Sequence, residues 1–168
     1  MPYRLIAAAL ILLAAPAAAE AADSWGLENE KPLELRDKVV DLLCELAGDC
    51  PAGCGQGKRQ LGILTAEGRL VPAAKGNVFF AGAVPDLLPL CGREVHADGL
   101  LLENPAMPLY FVQYLKLSPD AEFVPTDAFL TEWTARHGEA EEWWRADPTV
   151  KAVIEKNGVL GIPGLKPE

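Results

Sequence analysis

Two histidines and two methionines are all that the 168 residues contain of those types. That leaves no His-rich metal cage and few candidates for a histidine general base. Cationic side chains are also scarce, with 15 Lys and Arg against 24 Asp and Glu and a net charge of −9. The balance argues against nucleic-acid binding by phosphate neutralisation and against docking on anionic lipid. Past the first twenty residues there is no long apolar run, so no membrane span or anchor is expected in the body of the chain. No phosphate loop, dinucleotide fingerprint or Ser-His-Asp set is legible, and Gly55-Gln56-Gly57 is too short to cradle a phosphate. No catalytic residue is assigned.

What is present is the composition of one folded domain, half hydrophobic and 23% charged. The N-terminus reads as a secretory signal over residues 1–19. Arg4 supplies the positive start, residues 5–15 the apolar run, Pro16 the break, and Ala17-Ala18-Ala19 the small residues that a signal peptidase needs. Cleavage is expected after Ala19, with Ala21 or Ala22 as close alternatives. The alanine-rich signal points to a bacterial periplasm, an oxidising compartment that permits disulfides.

Residues 20–30 are mostly polar and aperiodic and read as a short disordered leader, with Trp25 tacked onto the body. An amphipathic helix is predicted next. Pro32 suits its first turn, Leu35, Val39, Leu42, Leu43 and Leu46 form its stripe, and Gly48 terminates it. After the loop 48–58, strands are predicted at 60–65, 69–72, 94–102 and 110–117, with a third short strand or the entry to a helix at 78–80 and a short helix over 84–90. The order β-β-β-α-β-β is that of a small OB-like barrel, so the fold class is α+β, with helix plus OB-like domain spanning 31–118. Residues 119–168 read as a helical C-terminal extension. One helix is capped by Thr126 and carries Phe129, Leu130 and Trp133; another starts at Asp147-Pro148, buries Val150, Val153 and Ile154, and ends at Asn157-Gly158. The tail from Val159 reads as extended.

Four cysteines allow three fully paired connectivities. Cys44 falls half a turn from the leucine stripe, so core packing does not account for it. A bridge from Cys44 to Cys50 or Cys54 is expected, with the remaining loop cysteine joined to Cys91, and Gly53, Gly55 and Gly57 let the backbone bend enough for bridging. The alternative chemistry is a thiolate site for copper or zinc, or a thiol-redox pair at Cys50 and Cys54.

Cys50-Pro51-Ala52-Gly53-Cys54 resembles the copper loop of Sco assembly factors, which implies a copper role, with His137 in the place of those proteins' downstream histidine. A wider stretch resembles poorly characterised secreted bacterial OB-like domains. It comprises the cysteine loop, Gly62-Ile63-Leu64-Thr65 with Gly68, and Gly92-Arg93-Glu94-Val95 with Asp98-Gly99-Leu100. That likeness implies a fold and no particular activity.

Other candidates are isolated. His96 shares a strand face with Glu94 and Asp98, a possible metal or proton patch beside its blander reading as a solvated face. His137 precedes Gly138 at a helix end, where a cation suits the dipole. Met107 beside Pro108 is a weak copper-ligand candidate. Trp143 and Trp144 cannot both face the core, so one is expected to be exposed or to contact a partner. The expected function is a non-enzymatic accessory or binding module serving another exported protein, within a redox or metalloenzyme system; the rival is copper handling or thiol redox at Cys50 and Cys54.

Overall fold

The computed structural model describes residues 22–162. The expected signal segment and the end of the tail lie outside the described residues. Elements follow in the order β1 (Glu30–Asp41), α1 (Leu42–Ala47), β2 (Leu61–Leu64), β3 (Leu70–Lys75), α2 (Val84–Leu87), β4 (Glu94–Leu102), β5 (Leu109–Lys116), β6 (Val124–Pro125), α3 (Ala128–His137), α4 (Trp143–Ala146) and α5 (Pro148–Asn157). A short turn of 3-10 helix, Leu88–Leu90, continues α2.

The predicted N-terminal helix is corrected. Only Leu42–Ala47 is helical, and the residues before it form a twelve-residue strand. Leu33, Leu35 and Val39 point inward at even spacings, and all belong to or pack on the barrel core. A spacing of four, as from Leu35 to Val39, places two residues on one face of a helix and equally on one face of a strand. Asp41 ends the strand. Its buried carboxylate accepts from the Leu43 and Cys44 amides and so caps α1, and Gly48 closes the helix in a left-handed conformation.

β1 pairs antiparallel with both β2 and β4, β2 with β3, and β4 with β5. A parallel pairing of β3 with β5 closes the ring. The result is a closed five-stranded mixed barrel with a few helices, an α+β architecture consistent with a small OB-like barrel. The expected strand at 78–80 is absent: those residues are loop, and β1 takes the fifth place in the barrel.

The core is filled from the five barrel strands, with Val39 the contribution of β1. Leu61, Ile63, Val71, Val95, Ala97, Tyr110 and Val112 meet inside, and Leu87 from α2 plugs the interior. Complete burial of a side chain such as Leu87 stabilises by about 1.5–3 kcal/mol. Tyr110 is the largest fully buried residue, and its hydroxyl donates to the Leu33 carbonyl at 2.6 Å and the Ala97 carbonyl at 3.1 Å. Burial first, then the Asp98 and Glu34 charges, push its pKa up. A Cβ at Gly99 would collide with the Phe111 carbonyl, so β4 and β5 approach there only because this residue is glycine.

The leader docks on the barrel at Trp25, as its sequence suggests, and at further residues. Residues 22–29 have no regular element, yet they are fastened to the barrel. Gln113 lies beside a register shift between β4 and β5. Its buried carboxamide accepts from the Asp23 amide at 2.9 Å and donates to the Asp23 carbonyl at 2.7 Å. The Trp25 ring lies 5.0 Å from Phe111, with the Lys75 ammonium 4.5 Å above it. The Glu30 carboxylate accepts from the amides of Trp25, Gly26 and Leu27.

The C-terminal helices pack through a second, smaller core of Val78, Trp133 and Trp143, with Phe129, Leu130 and Trp144 against it. Two expectations change here. Thr126 does not cap α3; it is buried against β5, where its hydroxyl donates to the Val112 carbonyl at 2.7 Å. The apolar residues of α5 are not interior, since Val153 and Ile154 are exposed and no residue of that helix is fully buried. Asp147 caps α5 as read, accepting from the Thr149 and Val150 amides. The tail over 159–162 runs through turns and bends, where an extended segment was expected.

Candidate functional site

The four cysteines form two disulfides. Cys44 joins Cys50 with Cα atoms 4.5 Å apart, and Cys54 joins Cys91 at 6.1 Å. The first ties α1 to the loop that follows it; the second ties that loop to the end of the α2 segment. Gly53, Cys54, Gly55 and Gln56 all have positive φ, a left-handed turn that carries Cys54 inward to burial beneath the loop. Left-handed backbone is easy for glycine and strained for other residues, so alternating glycines make the turn accessible. Arg59 then anchors the loop from outside, donating to the Asp49 carbonyl and carboxylate at 2.7 and 2.6 Å. Its guanidinium also lies 3.7 Å from the buried Asp41 carboxylate. The bridge from Cys44 exists although the helical stripe used to infer it does not form: Leu35 and Val39 pack inward from β1, while Leu43 and Leu46 are exposed.

This pairing bears on the metal candidates. A Cys-x3-Cys copper loop presents both sulfurs to one ion. Here Cys50 and Cys54 belong to different bridges, and antiparallel strands flank the loop. His96 stands on β4 with Arg36 and Lys116 as its cross-strand partners. Desolvation first, then those two cations, lower its pKa and favour the neutral ring. Its expected acidic patch is not open, because Asp98 is buried while Glu94 is exposed. His137 ends α3 with its ring 4.9 Å from Trp133, the helix-end position read from the sequence. Met107 is exposed in the β4–β5 loop. Among the described residues, no group of three or more His, Cys, Asp or Glu is arranged to hold a metal ion.

The tryptophan pair divides as its adjacency requires. Trp143 is buried against Phe129 and Trp133, while Trp144 is half-exposed. Trp144 meets two aromatics whose sequence reads as a short strand or the entry to a helix and which lie in a loop. Phe79 and Phe80 lie 5.9 and 5.0 Å from its ring in edge-on packing, and they are 63% and 76% exposed. The loop bearing them leaves the sheet at Gly76-Asn77, where Asn77 donates to the Gln113 carbonyl at 2.6 Å and its amide to Thr126 Oγ1 at 3.0 Å. Phe80 has φ of +61°, unusual for an aromatic residue, and its side chain projects to solvent. Strained backbone that displays an apolar side chain is a mark of functional surfaces. Beside it lies a cleft of about 200 Å³ lined in part by Asn77, Phe79, Glu141, Trp143 and Trp144. The buried Trp143 Nε1 donates to nothing among the described residues. Two adjacent phenylalanines after a Gly-Asn turn were the sequence signal for this edge.

No family model matches the chain, and no curated protein or solved structure matches it. Two disulfides point to an oxidising, extracellular type of environment. Among the described residues no helix is long and apolar enough to cross a membrane.

Proposed function

We propose that the protein is an exported, periplasmic, non-enzymatic accessory module that holds another exported protein at its aromatic edge. Export is supported by the signal-like residues 1–19 together with the paired cysteines. An OB-like reading of the barrel is supported by its ring order, β1-β2-β3-β5-β4 and back to β1, with α2 between β3 and β4. The single observation that carries the binding role is the exposed pair Phe79 and Phe80 packed edge-on against the partly buried Trp144. Aromatic side chains supply large contact area at small entropic cost and are enriched at the centres of interfaces.

A photo-crosslinking side chain at position 80 tests this in cells. The expected result is one discrete adduct with another exported protein, lost when Trp144 is changed to Ala. No adduct, or an adduct indifferent to Trp144, overturns the reading. The rival role in copper handling or thiol redox requires free thiolates at Cys50 and Cys54. A thiol count on native protein separates the two: none before reduction supports the module, and thiols that titrate one Cu(I) support the rival.

A further inference from the structure

Asp98 is the least accommodated charge in the barrel. It is 3% exposed on β4, its Oδ2 accepts no hydrogen bond among the described residues, and no cationic side chain pairs with it there. Its cross-strand partner on β1 is another carboxylate, Glu34, and its partner on β5 is Tyr114. Burial, then the Glu34 charge, raise its pKa; the Ala22 and Gly99 amides, which donate to the carboxylate, oppose them. An isolated buried carboxylate is costly unless a cation meets it.

What meets it is the backbone of the leader at Ala22 and Asp23. Ala22 is buried and its amide donates to the Asp98 carboxylate, and the next residue, Asp23, is gripped through both its amide and its carbonyl by Gln113, whose neighbour Tyr114 pairs with Asp98. The sequence immediately upstream holds two sets of small residues suited to signal peptidase, Ala17-Ala18-Ala19 before Glu20 and Ala19-Glu20-Ala21 before Ala22. Pattern alone does not choose between them, and the barrel supplies a physical difference. A chain beginning at Glu20 keeps a neutral amide at Ala22 and so brings no cation there. A chain beginning at Ala22 places an α-ammonium, charged at neutral pH, where the amide now donates.

We propose that the mature protein begins at Ala22, cut after Ala21, and that its α-ammonium forms an ion pair with the buried Asp98 carboxylate. Asp98, with Glu34 beside it and Gln113 holding Asp23, is then the receptor for the protein's own new N-terminus. The inference rests on the export reading and replaces the cut after Ala19 with a later one.

Intact-mass analysis of protein recovered from the periplasm separates the outcomes. A chain starting at Ala22 is the expected result. A start at Glu20 or Asp23 overturns this proposal and leaves export standing, whereas retention of residues 1–19 overturns export itself. The ion pair is tested on purified chains that start at Glu20 or at Ala22. The Ala22 chain should melt several degrees higher, and the Asp98 carboxyl, followed by carbon NMR, should titrate at lower pH in it. Acetylating its N-terminus should undo both shifts, and Asp98→Asn should erase the difference in melting. Equal melting and equal Asp98 titration in the two chains overturn the ion pair.

Discussion

The loop between β1 and β2 and the segment after β6 lean on the same barrel and are held there by different forces. The loop is built of glycine, alanine, proline and polar residues, and Cys54 is the only residue of its 52–57 turn to be buried. It has almost no apolar surface to withdraw from water, so two disulfides and Arg59 hold it. The C-terminal segment has no cysteine. It brings Trp133 and Trp143 into contact with Val78 and Phe129, and it holds by area and aromatic packing. A segment without large side chains is fixed by cross-links, and one rich in tryptophan needs none.

The largest test of that contrast is the longer bridge. Replacing both Cys54 and Cys91 by Ser should cost about 4 kcal/mol in urea unfolding, from the loop-closure entropy of a crosslink spanning 37 residues. A loss near zero would mean that packing holds the loop after all. Next comes Trp133→Ala, expected to cost about 3 kcal/mol and to act locally. Hydrogen exchange should quicken in α3 to α5 while β4 and β5 stay protected. Equal loss of protection in the barrel would merge the two regions into one cooperative unit.

Smaller again is removal of the Cys44–Cys50 bridge by the double Ser variant, about 2 kcal/mol because its loop spans only six residues. A loss as large as that for the longer bridge would break the entropic account.

The smallest effect is electrostatic. The Trp133 indole N–H first, then the Val150 amide, hold the Asp147 pKa below its ordinary value. A depressed folded-state pKa contributes stability that is present above the unfolded value and lost as pH falls through the folded one. Acid should therefore loosen the C-terminal helices first, and Asp147→Asn should flatten that acid limb in tryptophan fluorescence. Asp98, in a chain with an amide at Ala22, has the opposite sign. Its pKa is raised, so the fold gains as pH drops below that raised value and loses as pH climbs through it.

Much of this architecture was legible in the residues, and the errors have identifiable causes. Strands β2, β4 and β5, the intervening α2 and the Asp147-Pro148 start of α5 were each read from alternation or capping chemistry. β1 was taken for a helix because Leu35 and Val39 satisfy both periods. The β-β-β-α-β-β order was still right, since the strand wrongly placed at Val78-Phe79-Phe80 compensated for the one missed before the loop. Those two phenylalanines have strand propensity, and only the hydrogen bonds of Asn77 to Gln113 and Thr126 take them off the sheet. The exposure of Val153 and Ile154 was not readable, because an amphipathic stripe does not reveal whether anything lies opposite it.

The sequence alone determined the chemistry that acts over short distances: the helix stop at Gly48, the cap at Asp147, and bridges among cysteines that a glycine-rich loop brings together. Those depend on a few neighbouring residues and on backbone freedom. Tertiary structure decided what depends on distant partners. It made residues 30–41 a strand by giving them β2 and β4 to pair with, turned a polar leader into an anchored arm through Gln113, and buried Asp98 against Ala22. Each of these joins residues far apart in the chain, where the free energy lies in a contact and no local pattern records it.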